Sequence, residues 1–320
     1  MKKDNIKKPL HYIILLILAG EAVFILPFVL ARVFRATVLD VFQVTNTQLG
    51  YCFSIYGLVA LVSYLFGGPL ADKFQPRKLM GISLILTAIG GFVYANNPSY
   101  TTLKILYGYW GFTTICLFWA GMIKATRIWG GTDSQGKAFG FLDGGRGLVG
   151  ALFGLLGVLI FAFLMPDNDV DLNTIVQREA FKAVILITSG IVILIGLLVY
   201  FFLKLDTKAT IEKETIKEHI TLKNIKDVLQ LKAVWLLMII ILCAYVGYKI
   251  TDIFSLYAKD VMKYSEIEAA QTGTFLLFIR PVVGVLIGVL ADRSKASLYL
   301  VIGFLLSIIG ASIFASGVLP

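Results

Sequence analysis

The sequence predicts an all-α protein, a polytopic bundle of membrane-crossing helices. Hydrophobic residues make up 58% of the 320 and charged residues only 15%, against about 45–50% and about 25% in a soluble domain. The mean hydropathy of +0.84 excludes a disordered chain, a disulfide scaffold and a fold with an exposed basic surface for nucleic acid. Nine stretches reach the roughly 20 mostly apolar residues that a helix needs to cross the hydrocarbon.

These stretches, spans 1 to 9, lie at about 10–33, 49–71, 78–96, 101–127, 139–164, 180–203, 232–256, 270–291 and 297–317. The first is too long for the core of a secretory leader and is read as a retained helix. Cys52, Cys116 and Cys243 fall inside apolar runs without CxxC spacing, so neither a zinc site nor a disulfide framework is expected. His11 and His219 sit at a membrane edge and in a polar connection, and neither is assigned a role. With no nucleophile motif or acid dyad the chain is expected not to be an enzyme, and no metal or cofactor is implied.

The net charge of +9 is then a statement about topology. Lys2, Lys3, Lys7 and Lys8 precede span 1, Lys73, Arg77 and Lys78 follow span 2, and Lys124, Arg127 and Lys137 flank the connection after span 4. Lys204, Lys208, Lys213, Lys217, Lys223, Lys226 and Lys232 crowd the connection after span 6, and Arg293 and Lys295 follow span 8. All share one face, whereas an opposite loop carries Asp167, Asp169 and Asp171. The positive-inside rule predicts a cytoplasmic N-terminus in the cell membrane. The connection Leu205 to Leu231 is the one substantial polar segment, ending in a short amphipathic stretch (Ile225, Val228, Leu229). It divides the chain into residues 1–204, a linker 205–231 and residues 232–320.

An internal repeat connects the parts. Gly68, Leu70, Ala71, Asp72 and Lys73 recur 220 residues later as Gly288, Leu290, Ala291, Asp292 and Arg293. The register holds into the next span, where Leu86, Thr87, Ile89, Gly90 and Ala95 meet Leu306, Ser307, Ile309, Gly310 and Ala315. The segment Gly68-Pro69-Leu70-Ala71-Asp72-Lys73-Phe74-Gln75-Pro76-Arg77-Lys78 resembles the signature loop of the major facilitator superfamily, G-x-L-a-D-(R/K)-x-G-R-(R/K), departing at Gln75 and Pro76. The resemblance extends to Gln135-Gly136-Lys137-Ala138-Phe139-Gly140 in the connection after span 4. It implies two six-helix halves that rock about a midplane site. A counterpart of span 4 would begin at about residue 321, one past Pro320, so helices 10 to 12 are expected to be missing.

Two nucleotide-binding patterns are rejected. Gly131 to Lys137 fits G-x-x-x-x-G-K, but Ala138 follows where a Ser or Thr should hold Mg²⁺. Gly145 to Gly150 fits G-x-G-x-x-G without a preceding strand. Gly147, Gly150, Gly154 and Gly157 instead form one helical face suited to close helix packing.

Ionisable residues inside spans are costly and point to function. Glu21, Asp143, Arg146, Lys249, Asp252 and Arg280 are the six of interest. Asp143 and Arg146, three apart, are expected to form a structural pair, as are Lys249 and Asp252. Glu21 and Arg280 have no neighbour of opposite charge at helical spacing, and both fall near the midplane. They either pair with each other, or Arg280 receives an anionic solute while Glu21 takes up and releases a proton, a role that a low-dielectric surround favours in a carboxylate. The resemblance implies that span 7 lines the central cavity, bringing Lys249 and Tyr245 forward as solute contacts. Trp110 belongs to a stripe on span 4 with Tyr107, Thr114, Leu117, Gly121 and Lys124; the stripe suits packing, although the resembled helix borders the cavity. By the same resemblance Gly68, Asp72, Lys73, Arg77, Asp292 and Arg293 gate conformation, Asp292 capping the cytoplasmic end of span 5.

The expected function is secondary transport of a small organic anion, such as a carboxylate, sugar acid, phosphate ester or nitrate-like ion, with protons as a coupling partner, by a monomer in the lipid bilayer. A membrane solute sensor, a drug/proton antiporter and a non-functional fragment are the alternatives. Span 5 lacks the Gly-Pro pair of the family's drug antiporters.

Overall fold

The computed structural model describes residues 9–131, 135–165, 174–205, 227, 229–293 and 295–316. The N-terminal lysines, the loop of Asp167, Asp169 and Asp171, and nearly all of the linker lie outside the described residues. Among those described, every regular element is helical.

Helices occupy all nine predicted places. They run Leu10–Val33, Asn46–Lys73, Pro76–Ala95, Tyr100–Gly111 continuing to Ala120–Gly130, Gln135–Leu164, Thr174–Phe202, Lys232–Lys249 continuing to Phe254–Asp260, Glu266–Arg293 and Ala296–Ser316. Among the described residues, six of these segments are long and apolar enough to cross a membrane, and Ser297–Ile313 adds a shorter apolar helix. The architecture is an all-α, multi-pass membrane bundle.

Local chemistry sets the ends. Thr45 Oγ1 accepts from the Gln48 N–H at 3.1 Å while Gln48 Oε1 accepts from the Thr45 N–H at 2.8 Å, a reciprocal cap that starts span 2. Pro76 occupies the first turn of span 3, where its missing N–H costs nothing. Ser99 Oγ accepts from the Thr102 N–H at 3.3 Å to start span 4. That span ends at Gly131, φ 64°, a left-handed turn that a β-carbon would strain.

Two spans widen locally into π-helix. Pro27 lies within Ile25–Val29 of span 1, and its absent N–H breaks the regular ladder there. In span 4 the π segment is Phe112–Trp119. There the Thr114 hydroxyl donates to the Trp110 carbonyl at 2.7 Å, competing with the backbone for that acceptor. After a break at Phe34, a short helix Arg35–Phe42 follows span 1.

The core lies among spans 1 to 6. Leu16, Val23, Leu26, Phe34, Tyr94, Trp110, Phe161 and Phe181 are buried there, with Phe34 5.2 Å from Phe161 and 5.6 Å from Phe181 between ring centroids. Spans 3 and 6 approach through glycines, a β-carbon on Gly81 reaching the Gly196 carbonyl at 3.0 Å. Spans 7 to 9 present mostly exposed apolar side chains, and no residue of Lys232–Lys249 is buried. The segment Gly145–Gly150 lies within the single helix Gln135–Leu164, so the nucleotide-binding pattern has no strand–loop–helix setting.

Candidate solute-binding site

Span 5 is the plate on which the site is assembled. Its glycine face is used as the spacing predicts: a β-carbon on Gly147 would meet Pro281 of span 8 at 3.0 Å, one on Gly150 would meet Glu21 Oε1 of span 1 at 2.9 Å, and one on Gly154 would meet Thr274 of span 8 at 3.2 Å. Small residues let the backbones of spans 1, 5 and 8 converge, carrying Glu21, Arg146 and the helical position of Arg280 to one seam.

The first charge cluster sits on this seam. Glu21 Oε2 lies 3.4 Å from Arg146 Nε, and Arg146 Nη1 lies 3.6 Å from Asp143 Oδ1. Glu21 and Arg146 are buried, whereas Asp143 is exposed. The Arg146 guanidinium carbon is 5.5 Å from the Phe24 ring and 5.6 Å from the Trp119 ring, distances at which a cation is attracted to the ring faces. The expected pair Asp143–Arg146 thus exists as part of a larger group. Among the described residues the Glu21 carboxylate faces Arg146, a partner that helical spacing does not reveal, because span packing brings together residues 125 positions apart. The Arg280 side chain lies outside the described residues; its backbone adjoins Pro281, in contact with Gly147.

A second cluster lies toward the end of the bundle where spans 1 and 7 finish. Asp252 pairs with Lys249, as its spacing predicts, and also with Arg32 of span 1 at 2.6 Å. Arg32 and Asp252 are buried. Ser255 Oγ donates to the Arg32 carbonyl at 2.8 Å. Aromatic rings floor this cluster: Lys249 Nζ is 5.2 Å from the Phe28 ring and 5.1 Å from that of Phe53, and Arg32 lies 5.0 Å from Tyr248. Phe24 and Phe28, 6.3 Å apart, connect the two clusters across the π turn that Pro27 opens.

Arg32 escaped the sequence reading because it lies at the end of its span, where a basic residue is ordinary. A signal was present: Arg32 precedes Asp252 by 220 residues, the offset of the repeat. The two are equivalent positions of the two halves of that repeat, with opposite charge.

Beyond this cluster lies an ionic clasp. Lys259 pairs with Asp40 at 2.6 Å and with Glu266, and Glu266 Oε2 accepts from Thr37 at 2.7 Å. The clasp ties the short helix Arg35–Phe42 to spans 7 and 8.

The other predicted residues fall elsewhere. Trp110 is fully enclosed, its Nε1 donating to the Thr87 carbonyl at 3.0 Å, so in this arrangement it supports the wall and offers solute no surface. Tyr245 is exposed on span 7, its ring 6.0 Å from Tyr248. Gly68, Asp72 and Lys73 are exposed, and Arg77 Nε donates to Gln75 Oε1 at 3.1 Å. Lys124 Nζ donates to the Ala71 carbonyl at 2.7 Å, tying the signature loop to span 4. The side chains of Asp292 and Arg293 lie outside the described residues. An apolar groove of about 650 Å³ lined by Leu58, Val62, Phe66, Phe112 and Cys116 runs along spans 2 and 4 and carries no charged residue.

A multi-pass helical bundle whose buried charges gather where spans 1, 5, 7 and 8 converge has the form of a secondary transporter. Residues 13–320 match the Major Facilitator Superfamily, and the chain belongs to it. This is a superfamily of membrane transporters rather than enzymes. The chain is 27% identical over 252 residues to Inner membrane protein YqcE of Escherichia coli (strain K12), covering 78% of this chain and 57% of that one. It is 28% identical to Inner membrane protein YihN of the same organism, covering 77% and 56%. Uncharacterized protein MG294 homolog of Mycoplasma pneumoniae is 26% identical, over 79% and 56%. The chain spans about half the length of these curated relatives.

Proposed function

We propose that the protein carries a small organic anion across the membrane by alternating access, with Glu21 as the proton-coupling group. The observation that carries this reading is the excess, among the described residues of the two clusters, of buried and half-buried cations over buried acids: Arg32, Arg146 and Lys249 face Glu21 and Asp252, the further acid Asp143 being exposed, and Arg280 occupies span 8. A cation in a low-dielectric site needs a counter-charge, and a solute carboxylate or phosphate supplies one. Lys249 and Tyr245 contact the solute together with Arg280, while Trp110 supports the wall behind.

The division into residues 1–204, linker 205–231 and residues 232–320 supplies the two rocking bodies. Asp72, Lys73 and Arg77, with Asp292 and Arg293, gate the side that carries most of the basic residues. With a cytoplasmic N-terminus, the Lys259 clasp closes the outer side, so the arrangement described opens inward. The protein works as a monomer.

Counterflow in proteoliposomes, with a panel of carboxylates, sugar acids and phosphate esters, tests the reading. Arg280→Gln and Lys249→Gln should each abolish exchange of the active anion, and Glu21→Gln should leave exchange but remove its response to a proton gradient. Exchange that persists unchanged in both cation variants would sink the anion assignment. Saturable binding without counterflow would make the protein a sensor.

A further inference from the structure

We infer, resting on the anion reading above, that the solute is an aromatic monocarboxylate. Its carboxylate takes the Lys249 ammonium in place of Asp252, Arg32 keeps Asp252 compensated, and its ring lies against Phe28 and Phe53.

The charges where spans 1 and 7 finish are arranged for such an exchange. Asp252 is shared by two cations, Arg32 at 2.6 Å and Lys249. The Arg32 and Asp252 side chains are buried, whereas that of Lys249 is 30% exposed. An incoming anion therefore reaches Lys249 and not Arg32. When Lys249 turns to a solute carboxylate, Asp252 stays with Arg32, and no buried acid is left alone, which is the costly outcome of breaking an enclosed pair. The cluster of Glu21 and Arg146 offers no comparable approach, because the Arg146 side chain is enclosed and lies against the Phe24 and Trp119 rings.

The same group sets the charge of the solute. Arg32 and Lys249 against Asp252 leave one positive charge over, which one carboxylate neutralises. The next cation, Arg35, is 4% exposed and donates to Asn46 Oδ1 at 3.0 and 2.6 Å, out of a solute's reach.

Aromatic rings set its body. Lys249 Nζ lies 5.2 Å from the Phe28 ring and 5.1 Å from the Phe53 ring, and these rings are 5.5 Å apart and both half-buried. A group bonded to the ammonium comes alongside them. Tyr245, one turn before Lys249 on the same helical face, is exposed, its ring 6.0 Å from Tyr248. A flat ring packs against such neighbours edge-on or offset.

The polar side chains nearby are already committed. Tyr56 Oη shares a 2.6 Å hydrogen bond with Thr114 Oγ1, Thr251 donates to the Tyr248 carbonyl at 2.8 Å, Ser255 donates to the Arg32 carbonyl at 2.8 Å, and Asn46 accepts from Arg35. A sugar acid or sugar phosphate would give up water at each hydroxyl without a replacement bond. A phosphoryl dianion would also bring two charges to the single cation of this cluster that solvent reaches. The solute classes thus narrow to a carboxylate that carries a ring.

Equilibrium dialysis of radiolabelled benzoate against the purified full chain in detergent, with protein-free micelles as the blank, tests this without transport. Benzoate should bind saturably, and acetate, gluconate and glycerol phosphate should each compete about tenfold more weakly than unlabelled benzoate. Phe53→Leu keeps the bulk and removes the ring, and should narrow the ratio of benzoate to acetate about tenfold; Phe28→Leu is the second variant should the first fail to fold. Lys249→Gln should abolish binding. Arg32→Gln leaves Asp252 to Lys249 alone and should weaken benzoate about tenfold, whereas Arg32→Lys, which keeps a cation for Asp252, should restore it. Absence of saturable benzoate binding, competition by gluconate or glycerol phosphate equal to that of benzoate, or a ratio of benzoate to acetate unchanged in both phenylalanine variants overturns the assignment. Exchange of a sugar acid or phosphate ester in proteoliposomes without benzoate binding would sink this inference and leave anion transport standing; benzoate binding without counterflow would do the reverse.

Discussion

Span 1 and span 7 are equivalent in the internal repeat, yet they are held in different ways. Two-thirds of the most apolar window of span 1 lies inside the protein, and none of the corresponding window of span 7 does. Span 1 is enclosed by spans 3, 4, 5 and 6 through side chains such as Leu16, Val23 and Leu26. Span 7 is fastened by polar contacts near its end: Asp252 to Arg32, Ser255 to the Arg32 carbonyl, and Lys259 to Asp40. The contrast follows from the solvent. In a bilayer an apolar face gains little by leaving lipid, so association rests on close packing and on polar contacts. Spans 1 to 6 have the packing, and spans 7 and 8 have the polar contacts and the glycine seam with span 5.

The largest test of this difference is truncation of an aromatic residue in each region. Trp110→Ala removes a fully buried indole and the donor to Thr87 and should cost about 3–5 kcal/mol. Trp235→Ala, on the exposed face of span 7, should change stability by no more than about 0.5 kcal/mol. Thermal unfolding in detergent measures both. Equal losses would show that span 7 is packed as the core of spans 1 to 6 is.

Next in size is an attack on the seam. Gly150→Val places a side chain against Glu21 Oε1, which already lies 2.9 Å from where a β-carbon would sit. Overpacking of this kind costs about 1–3 kcal/mol. Cysteine pairs placed across spans 1 and 5 should lose their cross-linking yield, whereas pairs across spans 3 and 6 should keep theirs.

How far the molecule is legible in its sequence follows the same division. The span limits are readable because hydrocarbon thickness imposes a length on each apolar run, so 10–33 and 78–96 sit close to Leu10–Val33 and Pro76–Ala95. The glycine face of span 5 is readable because it repeats within one helix. The pairing of Glu21 with Arg146 is not, since it joins two spans whose contact no local spacing encodes. Lys249 with Asp252 is half-readable: the sequence gives the partner three residues away and omits Arg32. The π segment at Pro27 has a visible cause, but that of Phe112–Trp119 depends on which acceptor the Thr114 hydroxyl finds, a choice invisible before folding.

The Arg32–Asp252 pair sharpens the comparison further, because it joins the two equivalent spans. Arg32→Gln leaves Asp252 with Lys249, so the loss is smaller than that of an orphaned buried charge. A double-mutant cycle of Arg32→Gln with Asp252→Asn should give a coupling of about 0.5–3 kcal/mol. Coupling near zero would mean that the two spans meet without the pair contributing to their contact.

The smallest expected effect is at the clasp. The Asp40 side chain is half-exposed, and its bond to Lys259 is open to salt, so Asp40→Asn should lower stability by less than about 1 kcal/mol. Lys259 keeps Glu266, and Glu266 keeps Thr37, so the clasp loosens without parting. The expected signature is conformational: a cysteine placed at Ala36, buried on the same short helix, should react faster with a water-soluble maleimide in Asp40→Asn than in the parent. High salt should raise the parent's rate toward that of the variant, because screening at about 1 M shortens the reach of a charge to about 3 Å. Span 1 should show no such salt response at Ala19, which packing encloses. A salt response at both positions would mean that ionic contacts hold the two spans alike, and a response at neither would leave span 7 fastened by the buried Arg32–Asp252 pair and the Ser255 bond alone.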